Sequence, residues 1–182
     1  TLGLEAAEKR TYSAIVNPEN VRTIIDPSVT TKFAERSEDM ICRYGEKVSK
    51  LVSKIPNGIL VFFPQRKLMF ESLQTWRKMK IMNYVGSRSF LGGKPLFMEG
   101  GQATENRKIV EEYKKTAKSE TGAILCCVFR GRNAEGSNFP YEEARGVFLI
   151  GVPYADYSDP VVKMQIRYYN NKKKGMGERW YL

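Results

Sequence analysis

The stretch Asn57-Gly58-Ile59-Leu60-Val61-Phe62-Phe63-Pro64-Gln65-Arg66-Lys67 decides the fold class. From Ile59 to Phe63 every residue is apolar, with no alternation. A strand with one wet face alternates apolar and polar residues, whereas an unbroken run suits a strand covered on both faces, as in a parallel sheet. Pro56-Asn57-Gly58 turns the chain into this run, and Pro64-Gln65-Arg66-Lys67 leads out of it toward a helix predicted from about Arg66 to Lys80. Met69, Leu73 and Trp76 lie on one face of that helix, and Trp76 reads as core.

Working outward, the same pattern recurs. Upstream, Ser37-Glu38-Asp39 reads as a helix start with acids in its first turn. Ile41, Tyr44, Val48, Leu51, Val52 and Ile55 follow at helical spacing, which predicts one buried face. Before it, Val21 to Ile25 reads as a short strand ended by Asp26-Pro27. Downstream, Val85 to Lys94 reads as a loop rich in Gly, Ser and basic residues, and Leu96 to Met98 as a short strand. Thr104 is the predicted cap of a helix carrying Ile109, Val110, Tyr113 and Ala117. Ala123 to Val128 is a second fully apolar strand and Val147 to Val152 the last. Asp159-Pro160 opens a final helix, with proline where its missing N–H costs nothing, running into the solvated end Lys172-Lys173-Lys174. Buried strands alternating with amphipathic helices mean an α/β fold with a mainly parallel sheet and helices on both faces.

Composition narrows the classes. A chain of 182 residues suits one domain with a full core. No apolar run approaches membrane-spanning length, and Thr1-Leu2-Gly3-Leu4-Glu5 lacks the pattern of a signal peptide, so a soluble intracellular protein without a membrane partner is expected. The first residue is not Met, which fits a piece of a longer protein. There is no histidine, and the cysteines Cys42, Cys126 and Cys127 form no C-x-x-C pair, so no metal site is expected and the cysteines read as small buried hydrophobes. The net charge of +10 favours polyanionic partners, nucleic acid above all.

In parallel sheets ligands sit at the carboxyl ends of the strands, so the loops after Phe63, Val128 and Val152 are where chemistry belongs. The loop after Val128 reads Phe129-Arg130-Gly131-Arg132-Asn133-Ala134-Glu135-Gly136-Ser137-Asn138-Phe139-Pro140. Its glycines let backbone approach a ligand, its arginines offer forked donors to phosphate, and Glu135 and Asn138 can accept from ribose hydroxyls. The loop after Phe63 places basic side chains at a helix start, where free N–H groups suit a phosphate. Read without further context, an ordinary turn is the favoured reading of each loop. Tyr168-Tyr169, before the lysine run, are candidates for stacking on bases.

Taken in order, these segments resemble the second RecA-like motor domain of the XPD/DinG-type superfamily 2 DNA helicases. Asn57 to Pro64 resembles motif IV of that family, and Pro95-Leu96-Phe97-Met98-Glu99 its next strand. Gly122-Ala123-Ile124-Leu125, Phe129-Arg130-Gly131-Arg132 and Glu135-Gly136-Ser137-Asn138-Phe139 resemble motif V. Ala144-Arg145-Gly146-Val147 and Gly151-Val152-Pro153-Tyr154 resemble the strand that follows, and Thr1-Leu2-Gly3-Leu4 the stretch after motif III. The likeness covers nearly the whole chain, in order and at the family's spacing. The chain departs from it at Gln65-Arg66, where Ser and an aromatic are usual, at Asn138, where Asp is common, and at Ala134 and Ser137. There is no G-x-x-x-x-G-K-[ST] and no D-E-A-H box, which in the family belong to the first motor domain, and the chain stops short of motif VI.

The resemblance implies an ATP-dependent helicase that moves 5′ to 3′ on single-stranded DNA, with DNA repair as the expected setting. ATP and Mg²⁺ would be shared with a first motor domain of the same polypeptide, and this chain by itself would hydrolyse no ATP. An iron–sulfur cluster, carried by many members, would belong to that first domain. Glu135, Gly136 and Asn138 would face the nucleotide. Phe63, Pro64, Gln65, Arg66, Arg88, Arg130, Gly131 and Arg132 would meet the nucleic acid. Repair or transcription proteins are the expected partners, in the nucleus of a eukaryote and the cytoplasm otherwise. The alternative is an isolated single-stranded-DNA-binding or partner-docking module.

Overall fold

The computed structural model describes residues 10–13, 17–152, 154–155 and 157–181. Thr1-Leu2-Gly3-Leu4, likened above to the stretch after motif III, and Pro153 lie outside them. The elements run α1 (Glu38–Val52), β1 (Gly58–Phe63), α2 (Arg66–Lys78), β2 (Met82–Val85), β3 (Arg88–Leu91), β4 (Lys94–Met98), α3 (Ala103–Ala117), β5 (Ala123–Val128), α4 (Arg132–Glu135), β6 (Gly146–Leu149), α5 (Pro160–Lys172) and α6 (Met176–Tyr181), with short 3-10 turns between some of them.

The strands form one sheet in the order β2-β3-β4-β5-β1-β6. The run β4-β5-β1-β6 is parallel, with β1 paired to β5 from Gly58↔Ala123 to Phe63↔Val128. Alternate side chains divide the core in two. Ile59, Val61 and Phe63 of β1 and Ile124 and Cys126 of β5 pack against α1 and α2. Leu60 of β1 and Ala123, Leu125 and Cys127 of β5 pack against Val110, Tyr113 and Ala117 of α3. Both faces are thus covered, which is why these strands carry no polar positions. The mixed, mostly parallel sheet between helical layers is the expected α/β, RecA-like arrangement.

The α1–α2 layer is fastened at Trp76. Its ring packs edge-on to Tyr44 and tilted against Phe63, and its Nε1 donates to the Ile41 carbonyl at 2.9 Å. A Cβ at Gly45 would lie 2.1 Å from that nitrogen, so the approach of the two helices requires glycine there.

Four expectations are corrected. Val21 to Ile25 is no strand: Val21, Ile24 and Ile25 are exposed, and β-propensity without a neighbouring strand to pair with does not hold an extended segment. Val85 to Lys94 is no loop: β2, β3 and β4 form an antiparallel meander with turns at Gly86 and at Gly92-Gly93, all with positive φ. The cap of α3 is Gln102, not Thr104, in a reciprocal capping box with Glu105. Leu51 is 42% exposed, and Val52 takes the buried place on α1. The other differences are at element ends. α1 ends at Val52, although Ile55 still packs on the core, and β6 ends at Leu149. Ser37 caps α1, accepting from Met40 N–H, and Asp159 caps α5, accepting from Val161 N–H. The short α6, beyond the lysine run, carries no strong periodic signal.

Candidate nucleic-acid interface

The carboxyl ends of β4, β5 and β1 form one edge of the sheet, and two basic segments leave it. After β1 the chain passes through Pro64 and Gln65 into α2. Gln65 makes no capping bond with its side chain, and the first turn holds Arg66 and Lys67 and no acid. By contrast, α1 begins with Glu38 and Asp39 and α3 with the Gln102–Glu105 box. Cations at a helix N-terminus oppose the macrodipole, so the head of α2 is electrostatically suited to an anion.

After β5 the chain turns at Arg130-Gly131. Phe129 N–H donates to the Phe63 carbonyl at 2.9 Å, joining the two loops at their roots, and Phe129 stacks on Phe62 at 5.6 Å. Arg130 holds φ +58, a costly conformation for a residue with a side chain. The Arg130 and Arg132 side chains are exposed and, among the described residues, find no partner. The turn is braced from below by a pair the sequence did not announce. Asn133 and Asn106 exchange side-chain amide bonds at 2.9 and 3.2 Å, both buried, and Asn106 Oδ1 also accepts from Gly100 N–H.

The family model of the helicase C-terminal domain matches residues 48–182. The chain belongs to the XPD/DinG-type helicases as their C-terminal RecA-like domain. It is 30% identical over 146 residues to the helicase subunit XPD of general transcription and DNA repair factor IIH from Dictyostelium discoideum, covering 80% of this chain and 18% of that protein. It is 30% identical over 178 residues to the ATP-dependent DNA helicase chl1 of Neosartorya fischeri, covering 88% of this chain and 20% of the relative. Against the regulator of telomere elongation helicase 1 of Mus musculus it is 30% identical over 155 residues, 80% of this chain and 12% of that protein. The chain thus spans about a fifth or less of the length of these relatives.

Within this helicase domain the residues singled out above fall into three groups. Pro64, Gln65, Arg66, Arg130, Gly131 and Arg132 share the carboxyl edge, all but half-buried Pro64 and Gly131 well exposed. Phe63 is at the same edge, but its side chain is fully buried against Trp76, so only its backbone can face a ligand. Arg88 stands two strands away from β5, on β3, paired with Glu112 of α3 at 2.7 Å. Glu135, Gly136 and Asn138 follow the chain as it returns toward the start of β6. Glu135 and Gly136 are exposed, while the Asn138 carbonyl accepts from Lys114 of α3 at 2.5 Å and Phe139 packs on Tyr113.

Two residues that carry charge were not read as functional from sequence. Glu99, at the end of β4, is buried and accepts from Arg66 Nη2 at 2.7 Å. Glu143 is buried near the opposite end of the sheet; burial pushes its carboxyl up, but Lys114 and Lys118, each at 3.0 Å, outweigh this and hold it below the usual carboxylate range. Among the described residues no cluster of His, Cys, Asp or Glu could hold a metal ion. Cys126 and Cys127 point to opposite faces of β5, and burial pushes both thiols up, so they present no paired thiolates to a cluster. Of the stacking candidates, Tyr168 is exposed with Lys172 over its ring at 4.4 Å, and Tyr169 stacks on Trp180 at 5.6 Å. No helix is long and apolar enough to cross a membrane among the described residues.

Proposed function

We propose that this domain is the strand-gripping half of an ATP-dependent DNA helicase that moves 5′ to 3′ on single-stranded DNA in the service of DNA repair. The observation that supports it best is the convergence, at one sheet edge, of an uncapped basic helix start and an arginine turn without acidic partners among the described residues. Backbone phosphates would meet Gln65, Arg66 and the N–H groups at the head of α2, then Arg130, Gly131 and Arg132, with Pro64 and the Phe63 backbone beneath. Arg88, farther along the sheet, would extend the path. Such contacts grip without reading sequence, as a translocating motor requires.

ATP and Mg²⁺ would sit between this domain and a first motor domain of the same polypeptide, which would hold the metal and the phosphates. Glu135, Gly136 and Asn138 are the residues here that would face the nucleotide, so the chain alone is expected to hydrolyse no ATP. Repair or transcription proteins would be its partners, in the nucleus of a eukaryotic source and the cytoplasm otherwise.

Titration of labelled oligothymidylate with the chain over a range of salt tests this reading. The expected result is affinity that falls steeply with salt, and an Arg130→Ala variant whose log–log slope is smaller by about 1. Absence of salt-dependent binding would leave only the partner-docking role and sink the DNA path drawn here.

A further inference from the structure

Glu99 does something that packing does not explain. Its backbone N–H donates to the Cys126 carbonyl at 3.0 Å, which fixes it beside β5. Its side chain is 3% exposed, Oε1 accepts from Arg66, and Oε2 is buried with no hydrogen-bond partner among the described residues. A Cβ on Gly131 would stand 3.2 Å from Oε2, so the carboxylate is wedged between the head of α2 and the Arg130-Gly131 turn. Burying a carboxylate with one oxygen unmatched is costly, and an apolar residue would serve packing better. An acid beside a phosphate path also repels the ligand. The arrangement makes sense where the acid sets the direction of a cation.

Arg66 carries five N–H donors in a planar fork, and the bond to Glu99 uses Nη2. The remaining donors stay available, with the side chain 42% exposed. An arginine already held in one rotamer has less freedom to lose when it binds.

We infer that Glu99 is a positioning residue, which holds Arg66 so that the open edge of its guanidinium meets a backbone phosphate of the single strand. The inference rests on the DNA path proposed above. It assigns the acid no contact with DNA; its effect passes through Arg66 alone.

The test is a double-mutant cycle on the full chain, with affinity for labelled oligothymidylate measured by anisotropy. Arg66→Ala is expected to weaken binding about tenfold. Glu99→Gln, which removes a negative charge, is expected to weaken it roughly threefold, because a neutral acceptor holds the guanidinium less firmly. The double variant should bind no more weakly than Arg66→Ala. Arg66→Lys, which keeps the charge without the fork, should behave like Arg66→Ala, and this arm does not depend on how well Glu99 variants fold. A silent Arg66→Ala would remove Arg66 from the DNA path and sink the proposed interface there together with this inference. Weakening by Arg66→Ala beside unchanged or tighter binding by Glu99→Gln would overturn the inference and leave the interface standing. Additive losses in the cycle, or full affinity in Arg66→Lys, would overturn it as well.

Discussion

The two ends of the parallel sheet are built on opposite principles. At the amino ends the chain is closed. A Cβ at Gly58 would meet the Glu143 carbonyl at 2.4 Å, and one at Gly122, where φ is +68, would meet the Asn57 carbonyl at 2.1 Å. Lys94 is buried there with its ammonium on the Thr121 carbonyl at 2.7 Å, and Tyr113 donates to the Glu143 carbonyl at 2.6 Å. At the carboxyl ends, among the described residues, Arg130 holds positive φ, the α2 terminus has no side-chain cap, the buried Glu99 Oε2 has no partner, and the Arg130 and Arg132 side chains have none. Positive φ occurs at both ends, at Asn57 as at Arg130, and both buried carboxylates have an oxygen without a well-directed hydrogen bond; the ends differ in charge pairing, because the Glu143 oxygen has the Lys114 ammonium at 3.0 Å.

This contrast can be broken by experiment. The largest effect should come from Glu143→Ala, which removes the buried carboxylate that Lys114 and Lys118 share. Both lysines reach solvent, so a loss of about 2 kcal/mol is expected in urea unfolding, with oligothymidylate affinity extrapolated to the native state unchanged. Loss of affinity without loss of stability would place function at the closed end.

An acid titration should give the next largest effect. The Glu143 carboxyl is held below its ordinary value of 4.5 in the folded chain. Its stabilising contribution is therefore complete above that ordinary value and disappears as pH falls through the lower folded value. Glu143→Gln should flatten this part of the stability curve, measured by thermal unfolding between neutral and acidic pH; an unaltered curve would show that other carboxyls govern acid unfolding. Asp26, drawn down to about 2 chiefly by its bond to Lys47 and then by Ser28, will contribute in the same direction but is exposed.

The smallest effect on stability should come at the open end. Arg130→Gly removes the cost of a side chain at positive φ and adds freedom to the unfolded chain. The two nearly cancel, leaving a change under about 1 kcal/mol. DNA affinity should nonetheless fall several-fold in the anisotropy titration. A variant that kept full affinity would mean that the turn's shape, and not the Arg130 charge, contacts the strand.

Local signals made part of this molecule legible. β1 and β5 are unbroken apolar runs, and Ser37 and Asp159 are side-chain caps, so these elements follow from their own residues. The β2–β3–β4 meander does not. Its strands are short and carry exposed Arg88, Tyr84 and Val85, and they are held by pairing that no single segment encodes. The opposite error at Val21 to Ile25 has the same source, since a β-branched segment stays irregular without a neighbour. At the candidate interface, the loops could be placed from the end of each strand. The Arg66–Glu99 and Asn106–Asn133 pairs could not, because their members lie 33 and 27 residues apart and meet only once β4 and β5 are side by side.

The adjacent cysteines of β5 have one more consequence. Cys126 and Cys127 are both buried, one under each helical layer, and their thiols are held in the protonated, unreactive form. Half-buried Cys42 on α1 can meet a thiol-specific reagent directly, but to reach these two the reagent has to wait until a layer lifts from the sheet. Two neighbouring atoms of sulfur report separately on the detachment of opposite sides, which makes the central strand a built-in clock for how this domain comes apart.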